Sequence, residues 1–185
     1  MSDGNDGDRA TRTVLVDASA YITLASVGQA DLVPTLRGTC VVPAAVANEI
    51  SQPPAADGLD RARSDGDLEV VPAPDTSRTA AAEHLGQETT AAAADPPGDV
   101  ALLACALDAT DPVVVTDDRP LRKSCRALSI PVSGSIGVLV RAVETGAIEA
   151  DRARSTLYAM DEVGARLSAS LVRRAEDLIE AASRD

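Results

Sequence analysis

Thr13-Val14-Leu15-Val16-Asp17 is the stretch from which the fold can be read: a β-prone apolar run that stops at a carboxylate. The same grammar returns in Val113-Val114-Val115-Thr116-Asp117-Asp118. An apolar run ending in an acid places the charge at the carboxyl end of a strand. In open α/β sheets that edge is where ligands bind. Helix-like segments follow both runs, so the chain reads as an α/β protein with a parallel sheet.

Working outward, strands are expected at 13–17, 39–42, 68–71, 112–116 and 130–133, with helices between them. The helices are read at 18–28, 29–37, 43–50, 57–65, 76–94, 99–108, 119–128 and 135–146, then at 149–163 and 168–182. Pro43 opens one of them, where its missing N–H costs least, and Pro53-Pro54 closes that unit. The domain scheme is a disordered leader at 1–11, a main domain over 12–148 and a helical extension over 149–185 that packs on it.

The 185 residues are enough for one real core, and 45% are hydrophobic. Phe and Trp are absent and Tyr21 and Tyr158 are the only aromatics, so the core must be aliphatic and base stacking is excluded as a major binding mode. The formal charge is −12; 20 of the 29 acids are Asp, and Lys123 is the single lysine among 17 basic residues. This resembles the protein style of extreme halophiles, although a GC-rich genome gives a similar bias. In molar salt the Debye length is about 3 Å, so such acidity does not exclude a nucleic-acid substrate. Cys40, Cys105 and Cys125 are far apart and His84 is alone, which argues against structural zinc and for reduced thiols. The apolar stretches fall short of the roughly 18 residues of a membrane span, and the expected location is the cytoplasm.

Asp17, Glu49, Asp99 and Asp118 are the candidate site acids. Singly, each has an ordinary explanation as a helix cap or a solvated position. Together they are harder to dismiss, because Asp17 and Asp118 end buried strands and Asp99 opens the apolar helix Val100-Ala101-Leu102-Leu103-Ala104-Cys105-Ala106-Leu107. Buried carboxylates need partners. An oxygen-only donor set suits Mg²⁺ or Mn²⁺. Arg119, Arg122, Lys123 and Arg126 follow without an intervening acid, and could hold a polyanion or simply form a solvated helix face.

These pieces resemble the PIN-domain nucleases, and specifically a VapC-like prokaryotic subgroup. The matching residues are Val14-Leu15-Val16-Asp17-Ala18-Ser19, Val46-Ala47-Asn48-Glu49-Ile50, Gly98-Asp99-Val100-Ala101, and Val115-Thr116-Asp117-Asp118-Arg119 leading to Ile130-Pro131-Val132-Ser133-Gly134-Ser135. The later Gly137-Val138-Leu139, Arg141-Ala142-Val143-Glu144-Thr145-Gly146 and Gly164-Ala165-Arg166-Leu167-Ser168 match the subgroup. The resemblance implies a three-layer α/β/α fold with a mainly parallel sheet and C-terminal helices. It implies catalytic acids Asp17, Glu49, Asp99 and Asp118. Asp17, Asp99 and Asp118 would be metal ligands, with Asp117 a ligand, a supporting partner or a cap. Ser19 matches a small hydroxyl found near the metal in this family, or else orients the start of its helix. It and, from their shared helix face, Arg119, Arg122 and Arg126 are the candidate substrate contacts.

The implied activity is Mg²⁺- or Mn²⁺-dependent hydrolysis of single-stranded RNA. A homodimeric toxin restrained by an antitoxin protein is the implied setting. An RNA-processing factor and a non-catalytic PIN-fold interaction module stay open. A haloacid-dehalogenase-type phosphatase is disfavoured, since it needs an acid where Ser19 stands. A receiver-like phosphoacceptor is disfavoured because Lys123 lies inside a helix.

Overall fold

The computed structural model describes residues 12–88, 95–165 and 167–184. The 1–11 leader lies outside the described residues. Strands β1 (Arg12–Val16), β2 (Thr39–Pro43), β3 (Glu69–Val71), β4 (Asp111–Val115) and β5 (Val132–Ser133) form one sheet in the order β3-β2-β1-β4-β5. Every neighbouring pair is parallel. β1 faces β4 with Val16 opposite Val115, and the Asp17 amide extends that ladder by donating to the Val115 carbonyl at 2.9 Å.

From β1 the chain progresses outward through β2 to β3, then returns to add β4 and β5 on the other side. The order therefore reverses between β1 and β4. In doubly wound sheets a crevice opens at the carboxyl ends of the two strands that flank such a reversal. Asp17 leaves β1 there, and Thr116-Asp117-Asp118 leave β4 there.

Helices flank the sheet. α1 (Ala18–Ser26) and a 3₁₀ segment, Ala30–Thr35, lead from β1 to β2; α2 (Ala44–Glu49) and α3 (Ala55–Asp65) lead on to β3. α4 (Asp75–Leu85) and α5 (Gly98–Asp108) make the return to β4, and α6 (Arg119–Ala127) leads to β5. α5 packs on β1, β2 and β4, with α2, α4 and α6 beside it. Val100, Ala101, Leu102, Leu103 and Ala104 are completely buried, as their continuous apolar run requires. α7 (Ser135–Glu144), α8 (Ala150–Met160) and α9 (Ala169–Ala182) follow; α7 contacts β5, α1 and the 3₁₀ segment, and carries α8 and α9. Leu157, Met160 and Ile179 are buried there, whereas Leu171 and Leu178 are exposed.

Tyr21 is the largest fully buried side chain in an otherwise aliphatic core. Among the described residues no helix is long and apolar enough to cross a membrane.

Local chemistry moved several expected boundaries. The helix expected at 29–37 is the 3₁₀ segment Ala30–Thr35, a short form consistent with the internal Pro34 that cannot donate to an α-helical ladder. The helix expected over 76–94 stops at Leu85, because Gly86 adopts a left-handed φ of 68° and turns the Gly86 and Gln87 amides back onto Glu83 and Ala82. Residues 89–94 of that expected helix lie outside the described residues. The last strand shortens from 130–133 to Val132–Ser133. Ser129, at a φ of 57°, closes α6 and turns the Ile130 amide back to the Cys125 carbonyl at 2.8 Å.

Candidate active site

Asp17 occupies the N-cap position of α1, yet its side chain makes no capping hydrogen bond. The residue is 7% exposed and its carboxylate is turned across the strand junction toward Thr116. Oδ2 accepts the Ser19 hydroxyl at 2.5 Å and the Thr116 hydroxyl at 2.7 Å. Thr116 is fully buried and also accepts the Asp118 amide at 3.0 Å, so it links the first and fourth acids. Ser19 in turn accepts the Asp117 amide at 3.0 Å.

Glu49 ends α2 and Asp99 sits in the first turn of α5. The Gly98 amide donates to Glu49 Oε1 at 3.2 Å, and a Cβ at residue 98 would fall inside the Glu49 carboxylate. Only glycine lets the acid approach the start of α5, where the unpaired amides and helix dipole favour negative charge. Asp99 Oδ1 accepts the Val100 amide at 2.8 Å, and Oδ2 accepts the side-chain amide of Gln87 at 2.5 Å. The Glu49 carboxyl is pushed above its ordinary value of 4.5 by desolvation and by the negative charge of Asp17; the Gly98 hydrogen bond opposes this and Asp99 adds to it. Glu49 thus lies in the field of both Asp17 and Asp99, which come from other elements.

The structure engages the other expected residues differently. Asp118 is exposed and caps α6, its Oδ1 accepting the Leu121 amide at 2.8 Å. Asp117 Oδ1 accepts the Ser135 amide at 2.9 Å and so fastens the start of α7. Gly134 is needed beside it, since a Cβ there would meet Asp117 Oδ1 at 2.6 Å. Arg122 points inward, its Nη1 donating to the carbonyls of Thr116 at 2.8 Å and Ser133 at 2.5 Å. It clamps the ends of β4 and β5. Arg119, Lys123 and Arg126 are exposed on α6. Thr116, Gly98 and Gln87 were not among the candidates read from sequence. Thr116 carried a usable signal, a polar residue closing an apolar strand beside two acids; Gln87 carried none.

Five neutral donors orient these three carboxylates: two hydroxyls, two backbone amides and one side-chain amide. None of Asp17, Glu49, Asp99, Asp117 or Asp118 forms an ion pair among the described residues. The negative charge is therefore held in place without being neutralised. Such a set fits a hard divalent cation in donor chemistry and in charge. Among the described residues, however, no three Asp, Glu, His or Cys side chains are already drawn together as a ligand cluster.

No curated protein matches this chain. A family model described as a PIN domain matches residues 13–181, from β1 into α9, and the chain belongs to the PIN-domain family.

Proposed function

We propose that this protein is a metal-dependent endoribonuclease that hydrolyses phosphodiester bonds in single-stranded RNA. PIN domains are generally nucleases, and this chain retains carboxylates at the carboxyl edge of the sheet. The observation that carries the reading is Glu49 set in the field of both Asp17 and Asp99, all three oriented by neutral donors and without an ion pair among the described residues. Holding like charges together in this way costs free energy unless a cation joins them.

Mg²⁺ or Mn²⁺ would be held by Asp17 and Asp99, with Asp118 as a further ligand; when bound, the ion would acidify a water and neutralise charge on the phosphate. Glu49 would complete the ligand set or take the proton from that water. Thr116 and Ser19 hold the Asp17 carboxylate at one orientation, and the Gly98 amide does the same for Glu49. Arg119, Lys123 and Arg126, exposed on the helix that begins beside Asp118, would meet the RNA backbone. Arg122 would support them by fixing the strand ends.

The VapC-like resemblance extends the proposal to a toxin of a toxin–antitoxin pair: a cytoplasmic homodimer inhibited by a small antitoxin protein, from a salt-adapted cell. The rival is a non-catalytic PIN-fold interaction module or RNA-processing factor. It is favoured by one observation, the commitment of Asp118 to capping α6.

Cleavage of a mixed-sequence single-stranded RNA in molar KCl separates the readings. Cutting that requires Mn²⁺ or Mg²⁺ and disappears in Asp17→Asn supports the nuclease. A folded protein that cuts nothing with either metal, or cuts equally well as Asp17→Asn, overturns it.

A further inference from the structure

Gln87 belongs to none of the motifs that point to the site, yet it makes the one side-chain hydrogen bond to Asp99 among the described residues. Its position is set by backbone geometry. Gly86 ends α4 in the left-handed region, and the Gln87 amide returns to the Ala82 carbonyl at 2.9 Å, so the residue is fixed to the end of α4. α4 packs along α5, and this brings the side-chain amide to Asp99 Oδ2 at 2.5 Å.

We propose that Gln87 is a positioning residue that holds Asp99 ready for the divalent cation, an inference that rests on the metal-dependent reading above. The Val100 amide occupies Oδ1 and the Gln87 amide occupies Oδ2, so the carboxylate is fixed at both oxygens and cannot spin about its terminal torsion. A carboxylate oxygen has two acceptor directions, which lets Oδ2 keep this hydrogen bond and still face an ion. The donor is neutral. Arginine or lysine at this point would cancel the charge that attracts the cation, whereas an amide orients the ligand and leaves its charge intact. Outer partners of this kind typically change metal affinity by about 10–100-fold.

The test is Mn²⁺ binding to the full chain without RNA, followed by the electron-paramagnetic-resonance signal of free Mn²⁺, with thermal melting alongside. Gln87→Met keeps the length and removes the donor, and Gln87→Ala is the second variant should the first fail to fold. The expected result is Mn²⁺ affinity about tenfold weaker with unchanged melting. The metal concentration for half-maximal RNA cleavage should rise in step, while turnover at saturating Mn²⁺ recovers. Wild-type affinity in the Gln87 variant, beside lost affinity in Asp99→Asn, overturns the role of Gln87 and leaves the nuclease reading standing. A wild-type chain that binds no Mn²⁺ overturns both.

Discussion

Thr116 donates its hydroxyl to Asp17 at 2.7 Å across 99 positions of sequence, joining the ends of β4 and β1 through one buried hydrogen bond. The same oxygen accepts the Asp118 amide, so removal of the hydroxyl leaves both a carboxylate and a backbone donor short of a partner. Thr116→Val is expected to destabilise the fold by about 1–3 kcal/mol in urea unfolding and to lower RNA cleavage. Thr116→Ser should retain both. A valine variant as stable and active as the wild type would contradict the linking role.

Arg122 and Arg126 lie four positions apart on α6 but face different surroundings. Arg122 donates to the Thr116 and Ser133 carbonyls, while Arg126 is exposed. Charge-assisted hydrogen bonds contribute more than neutral ones, so Arg122→Ala should cost about 1.5–3 kcal/mol of stability. Arg126→Ala should leave melting unchanged and raise the KM for RNA. Reversal of these two signatures would relocate the polyanion contact to Arg122.

Glu49 links stability to pH. Its carboxyl lies above the ordinary 4.5 because of desolvation and the neighbouring Asp17, so the folded chain binds this proton more tightly than the unfolded chain does. That contribution is fully present below the unfolded value and is lost as pH rises through the folded one. In the presence of chelator, Glu49→Gln should therefore melt higher than the wild type at pH 7, with the advantage vanishing near pH 4. The Gly98 amide still has an acceptor in the glutamine. An equal gain at both pH values would show that Asp17 and Asp99 do not repel Glu49.

Burial pushes the thiols of Cys40, Cys105 and Cys125 up to about 11, and all three are free and buried. The thiolate is the reactive form. A disulfide-exchange dye at pH 8 should label none of them in the native protein and all three in guanidinium. Rapid labelling of a single native cysteine would mean that its segment opens.

Much of this fold was open to reading along the chain. The runs ending at Asp17 and Asp117, and the apolar helix after Asp99, announce strands and a buried helix through local periodicity alone. Boundaries slipped where one residue's backbone conformation overrode propensity. Gly86 cut the Ala-rich helix short, and Ser129 shortened the last strand, because a left-handed turn is a choice that composition does not reveal. The candidate acids could be named individually for the same reason that their roles could not: a carboxylate after a strand looks alike whether it caps a helix or faces a cation.

Sequence by itself determined that strands end in acids and that a parallel α/β sheet carries them, since alternation of apolar runs with helical segments is a local property. Tertiary structure alone decided which partners each acid meets. The reversal of strand order sets β1 beside β4, and the packing of α5 on α2 brings the Gly98 amide against Glu49. It also turned Asp17 toward Thr116, Asp118 toward its own helix and Arg122 toward two carbonyls. Hydrogen bonds act over about 3 Å, and only the folded chain brings groups so distant in sequence within that reach.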